Sequence, residues 1–271
     1  MRKILLIEYF KNKYVARDME VIDAIQMNQK SNVFDEILIM CEKNLPSFVG
    51  DGDVHREHKR FLLKQKINLK SNKRHGIIRQ EKRNFTYKKN SIRYVLSEER
   101  QTFKSMFTYA NKHYPDSIVV IANNDIYFDD SLSLLDDYNM TKKCFSLLRY
   151  DVLPNKKDSK IFEYYDHELA RGYGSKGPRA DAQDSWIFKT PISVPIQSNF
   201  YFGILGCDNH ITYLLYKEGY KVINPALDIK SHHLHLTGIR NYDQNQRIQP
   251  PWLYIKPTTL HEVGEYKLVK P

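Results

Sequence analysis

Ser117-Ile118-Val119-Val120-Ile121-Ala122-Asn123-Asn124-Asp125 is the stretch whose reading decides the fold. After Ser117 come five apolar residues, four of them β-branched, with no polar alternation. That is the pattern of a strand buried on both faces. The run stops abruptly on two amides and a carboxylate. In open α/β sheets, ligands bind just beyond the carboxyl ends of such strands.

Working outward, Glu98 to His113 reads as a helix with Phe103, Met106, Phe107 and Ala110 on one face, stopped by Pro115. At the start of the chain, Arg2 to Phe10 is another continuous apolar run. Arg17 to Gln29 carries Met19, Ile22, Ile25 and Met27 at helical spacing. Phe34 to Cys41 is a further strand, so the first forty residues predict a βαβ unit and a parallel sheet. Downstream, Lys143 to Tyr150, Asp184 to Phe188 and Tyr220 to Ile223 read as strands. His210 to Glu218 reads as a helix capped by Gly219. Lys66 to Leu69 fits a short strand, residues 71–90 a loop or lid, residues 153–182 a long loop, and the chain from Gln249 an irregular tail.

The chain has 271 residues, 41% apolar and 13% aromatic, enough for a packed core. Its charge is uneven. Residues 56–93 hold 14 Lys or Arg against Glu57 and Glu81, an excess of +12 in a chain of net +10, so the remainder sums to −2. Such a stretch suits a nucleic acid, an anionic membrane face or a nucleotide's phosphates, or is simply a solvated segment. The apolar run Ile4 to Ile7 is too short for a signal-peptide core, and no stretch approaches the roughly 20 apolar residues of a membrane span. Cys41, Cys144 and Cys207 are odd in number and far apart, which predicts a reducing compartment. The expected setting is cytoplasmic, free or peripheral at a membrane.

Four groups of residues carry chemistry. Asn123, Asn124 and Asp125 offer oxygen ligands for Mg²⁺ or Mn²⁺, or form an Asx-rich turn. Asp208 stands just before a helix, as a base able to take a proton from a hydroxyl or as a plain helix cap. In His232-His233-Leu234-His235, strand alternation puts His233 and His235 on one face and His232 on the other, which makes the first two candidate metal ligands beside Asp125. Trp186 suits sugar stacking or the core, and Asp184 beside it suits an acceptor hydroxyl or a strand cap. His55 and His58 read as surface residues. No Walker loop, GxGxxG or GxSxG elbow occurs, which removes NTPase, dinucleotide-dehydrogenase and serine-hydrolase readings.

The order of these parts resembles the GT-A-fold glycosyltransferases, above all the inverting family 2 group. Asn123-Asn124-Asp125-Ile126 is similar to that family's DXD-type motif, and Gly206-Cys207-Asp208-Asn209-His210-Ile211 to its ED helix. Gly219-Tyr220-Lys221-Val222 and the histidines at 232–235 follow in order, and Arg100-Gln101-Thr102-Phe103 resembles a segment before the motif strand. The likeness spans about residues 1–240, and 83 positions separate Asp125 from Asp208. Two residues depart from the pattern. Asn123 replaces the first DXD acid, and Cys207 the acid before Asp208.

The resemblance implies a GT-A-like (Rossmann-like) α/β fold, with a mostly parallel sheet and helices on both faces. It implies one domain over 1–271, with a nucleotide-binding half 1–130, an acceptor and catalytic half 131–248, and a tail 249–271. It implies transfer from a UDP-, GDP- or dTDP-sugar to a glycan hydroxyl, assisted by Mn²⁺ or Mg²⁺, with Asp208 as general base. Tyr9, Phe10, Arg100, Asn123, Asn124 and Asp125 would flank the donor, Asp184 and Trp186 the acceptor, and Asp125, His233 and His235 the metal. Three other readings stand beside it. They are a nucleic-acid-binding protein, for which no helix-turn-helix, zinc-finger or RRM pattern is present; a nucleotidyltransferase, for which Tyr9-Phe10-Lys11-Asn12-Lys13 lacks the glycines; and a GT-A-like module without catalysis.

Overall fold

A computed structural model describes residues 1–42, 85–89, 92–163, 178–240 and 246–271. The short strand expected at Lys66 to Leu69, His55, His58 and most of the basic 56–93 stretch lie outside these residues.

The chain opens as the βαβ unit the sequence predicts: β1 (Lys3–Phe10), α1 (Val15–Ser31) and β2 (Glu36–Glu42). There follow β3 (Phe85–Lys89), β4 (Ile92–Ser97), α2 (Phe103–His113), β5 (Ile118–Ala122), β6 (Ile126–Phe128) and β7 (Lys143–Val152). The remainder is β8 (Ser159–Ile161), β9 (Gln183–Lys189), α3 (Cys207–Lys217), β10 (Lys221–Ile223), β11 (Ser231–His233) and a hairpin of β12 (Trp252–Ile255) and β13 (Tyr266–Val269).

One sheet runs β3-β4-β2-β1-β5-β9-β7-β11-β6, with β8 and β10 also paired to β7. Strands β4, β2, β1 and β5 are parallel. β9 is inserted antiparallel between β5 and β7, so β7 returns to the direction of β5, and β10 and β11 follow it in parallel. The fold is therefore α/β, with the mostly parallel central sheet that the sequence predicts.

Strand alternation divides the core in two. On one face Leu5, Ile7, Ile37, Ile39 and Val120 pack under Val21 and Ile25 of α1. On the other, Ile4, Leu6, Leu38, Val119 and Ile121 pack under Phe103, Met106 and Phe107 of α2 and Ile211, Leu214 and Leu215 of α3. Helices thus cover both faces. Among the described residues no helix is long and apolar enough to cross a membrane.

Four expectations are corrected. α2 begins at Phe103 rather than Glu98, because the backbone N–H of Gln101 is diverted to Glu8 Oε1 at 2.6 Å and Thr102 caps the helix. Met19 is half exposed, and α1 instead buries Val21, Ile22, Ala24 and Ile25 together with the polar Arg17, Asp18, Glu20 and Asn28. Residues 85–89 form a strand, and β4 beside them escaped the sequence reading. The irregular tail is an ordered hairpin that packs on α3.

Candidate functional site

A cavity of about 610 Å³ opens at the carboxyl ends of β1, β2 and β5 and extends beneath the C-terminal hairpin. That size lies within the range of small-ligand sites. Asp125 and Asp208 both line it, although 83 residues separate them.

Asp125 sits in the turn between β5 and β6. Its backbone carbonyl accepts from Leu234 N at 2.9 Å, which ties that turn to the segment after β11. Its Oδ2 pairs with an Arg17 guanidinium N–H and lies 3.1 Å from His233 Nε2. Burial opposes ionisation of Asp125, but His233 and then Arg17 outweigh it and hold the carboxyl far below the usual range. His233 Nδ1 lies 2.8 Å from Asp151 Oδ1. Burial disfavours its charge, yet Asp125 and Asp151 raise it to about 9.

His235 shares the face of His233, as alternation predicts. Its Nε2 meets the Ile239 carbonyl at 2.9 Å, and its pKa is lowered, by burial first and then by Arg17 and His233. One ligand atom each from Asp125, His233 and His235 lies within 4.8 Å of the others. The donor set suits a divalent ion. It comprises one carboxylate and two imidazoles, each imidazole oriented through its other nitrogen by a carboxylate or a carbonyl. His232 faces the other way and joins Asp129 Oδ2 at 2.9 Å and Ser159 Oγ at 2.8 Å.

Asp208 is the second residue of α3, inside the first turn rather than before it. Gly206 caps the helix with φ +79, and a Cβ there would meet the Ile248 carbonyl at 2.8 Å and the Trp252 ring at 3.2 Å. Only glycine brings the helix start this close to the C-terminal segment. Burial, and then the neighbouring Asp184 and Asp181 carboxylates, push Asp208 up to about 7. Asp184 accepts from Arg149 at 2.8 Å and from Asn123 Nδ2 at 2.6 Å. Asn123, standing where the DXD pattern has an acid, therefore anchors Asp184 across β5 and β9.

Arg100 and Phe10 line the cavity, with the guanidinium 5.5 Å over the Phe10 ring. Arg100 donates to the Phe202 carbonyl at 2.5 Å and approaches Glu8 Oε2 at 3.4 Å. Asn124 lines it too.

Two candidates are corrected. Tyr9 is 1% exposed, and its hydroxyl donates to Asp18 Oδ1 at 3.0 Å. The alternation that turns Glu8 and Phe10 to the cleft turns Tyr9 into the core. Trp186 is 0% exposed, packed edge-on against Phe103 at 4.8 Å, with its indole N–H on Thr212 Oγ1 at 3.4 Å. Trp186 borders the cavity, but its side chain belongs to the core packing.

The sequence reading passed over several residues of the cavity. Glu8 is buried and raised to about 7, because burial outweighs the opposing pull of the Gln101 amide and the Arg100 charge. Arg17 was readable as a charge within an otherwise buried helix face. Arg149, Arg179, Asp181, Trp252 and Tyr254 also line the cavity, and only the folded chain brings them together.

No protein-family profile matches the sequence, and no curated protein matches it. Among solved structures, a mannosyltransferase from Pyrobaculum calidifontis in complex with GDP-Man and Mn²⁺ is 11% identical, with a TM-score of 0.43 over 86% of this chain. The match spans 56% of the mannosyltransferase's own length. A 4-diphosphocytidyl-2C-methyl-D-erythritol synthase from Anaerococcus prevotii is 13% identical, with a TM-score of 0.38 over 90% of this chain and 94% of its own. HddC from Yersinia pseudotuberculosis is 10% identical, with a TM-score of 0.35 over 74% and 83%. None of the three bears on substrate or mechanism here.

Proposed function

We propose that the chain is a glycosyltransferase that moves a sugar from a nucleotide diphosphate-sugar to an acceptor hydroxyl, with inversion and with Asp208 as general base. The observation that carries this reading is one cavity at the carboxyl edge of the sheet, with an ionised Asp125 at one place in its wall and a near-neutral Asp208 at another.

A base works best with a pKa near the ambient pH, and Asp208 is held there. Its carboxylate takes the hydroxyl proton as the acceptor oxygen bonds to the anomeric carbon. The bond from that carbon to the diphosphate breaks on the opposite face, and the electron pair leaves with the phosphate. Arg100, stacked on Phe10, is placed to meet developing negative charge on the donor. Asp184, fixed by Arg149 and Asn123, stands beside Asp208 for acceptor hydroxyls. Asp125, His233 and His235 are the residues that would hold Mn²⁺ or Mg²⁺, and such an ion supplies Lewis-acid neutralisation of the leaving diphosphate.

The test is a thermal-shift panel of UDP-, GDP- and dTDP-sugars with and without Mn²⁺, followed by transfer assays on Asp208→Asn. Binding to the folded state raises the melting temperature, so one donor class should stand out. Asp208→Asn should keep that donor shift and lose at least about 100-fold in turnover. Turnover equal to wild type, or a panel with no stabilising donor, overturns the reading.

A further inference from the structure

Arg17 is a charged side chain only 8% exposed, in the first turn of α1, and its guanidinium is fixed on three sides. One nitrogen pairs with Asp125 Oδ2. The other donates to Glu20 Oε2 at 3.0 Å and to the Leu234 carbonyl at 3.1 Å. Glu20 is itself locked, because its Oε1 accepts from Thr237 N at 2.7 Å and its Oε2 from Thr237 Oγ1 at 2.9 Å. The arginine thus joins α1 to the very segment that carries His233 and His235. It places a permanent positive charge on the carboxylate that completes the three-ligand group.

We propose that Arg17 is the cleft's built-in counter-cation for Asp125 and competes with the divalent ion for that carboxylate. The proposal rests on the metal site of the function argued above. Like charges a few ångströms apart in a partly buried site repel strongly. An ion at Asp125 must therefore share or displace the guanidinium, and the protein alone holds the ion weakly. Oxygens from a bound diphosphate would add the missing affinity, so ion and donor should bind together better than either alone. Without the ion, Arg17 and His233 both meet the Asp125 carboxylate and hold the β5–β6 turn in place.

The experiment is a Mn²⁺ titration of the whole protein, read by electron paramagnetic resonance of the free ion with no nucleotide sugar present. Arg17→Met, which keeps the apolar stem and removes the charge, should bind Mn²⁺ at least about tenfold more tightly than wild type. Arg17→Lys, which keeps the charge, should stay within about threefold of wild type. An Arg17→Met protein that binds Mn²⁺ no more tightly overturns the proposal, as does absence of binding in both proteins. Because Arg17→Met strands Glu20, the double variant Arg17→Met/Glu20→Gln is measured beside it, and the same two readings apply. A double variant that folds only when Mn²⁺ is added supports the proposal. One that folds in neither condition overturns it, since Arg17 is then a structural residue. Donor thermal shifts on the same preparations, with and without Mn²⁺, address sugar transfer separately. Tightened Mn²⁺ binding with no donor shift leaves the competition standing and removes the glycosyltransferase reading.

Discussion

Asp208 is held near neutrality at a thermodynamic cost. Its folded pKa of about 7 stands above the roughly 3.9 of an unfolded aspartate, so the folded state binds the proton more tightly. Stability is therefore untouched below about pH 4, falls as pH rises between the two values, and stays reduced above pH 7. Asparagine carries no such cost. Asp208→Asn should melt with wild type near pH 4 and above it at pH 8, by about 2–4 °C for each kcal/mol relieved. A gap that does not widen with pH would show that Asp208 titrates normally. Legibility at this scale follows from how local each cause is. Asp125 was legible because a buried strand ended on it, and His233 and His235 because alternation gave them a common face. The same alternation separates Tyr9 from Glu8 and Phe10, so its place in the core is readable from the strand itself. Trp186 was open between sugar and core because its cover, Phe103 and Phe202, comes from distant segments.

Among the elements, α2 shows how a boundary is set by a side chain and not by periodicity. Thr102 Oγ1 accepts from Ser105 N at 3.2 Å, and Ser105 Oγ accepts from Thr102 N at 2.9 Å, a reciprocal cap. The helix so fixed buries Phe103, Met106, Phe107 and Ala110 completely. Thr102→Ala should cost about 1–2 kcal/mol of unfolding free energy in urea with an unchanged slope. A change below about 0.3 kcal/mol would mean that packing alone sets the helix start. Strands β1, β2, β5, β7 and β9 were legible because both their faces are apolar. β4 was not, because Arg93 interrupts Ile92-Arg93-Tyr94-Val95, and the partner that accommodates its charge, Glu36 on β2 at 2.8 Å, comes from a distant part of the chain. The β12–β13 hairpin was hidden by Pro250, Pro251 and Pro257, which broke the alternation by which a strand is recognised.

At the scale of the molecule, the parallel βαβ start was enough to predict the sheet but not its middle. β9 comes 61 positions after the end of β5, yet it is the strand that covers the edge of β5, with Ile121 opposite Trp186 and Ala122 opposite Ser185. It also brings Asp184 to the cavity, so the acidic corner around Asp208 depends on the same insertion. A chain ended at residue 182 should leave the apolar Ile118–Ala122 strand with one edge open and go to the insoluble fraction on expression. A soluble, monomeric product by size exclusion would contradict this. During synthesis at about 5–20 residues per second, the ribosome delivers β9 roughly 3–12 s after β5. Through that interval the nascent protein carries a sticky, half-finished sheet. Its yield in a cell is therefore expected to follow the supply of chaperones that shield such an edge.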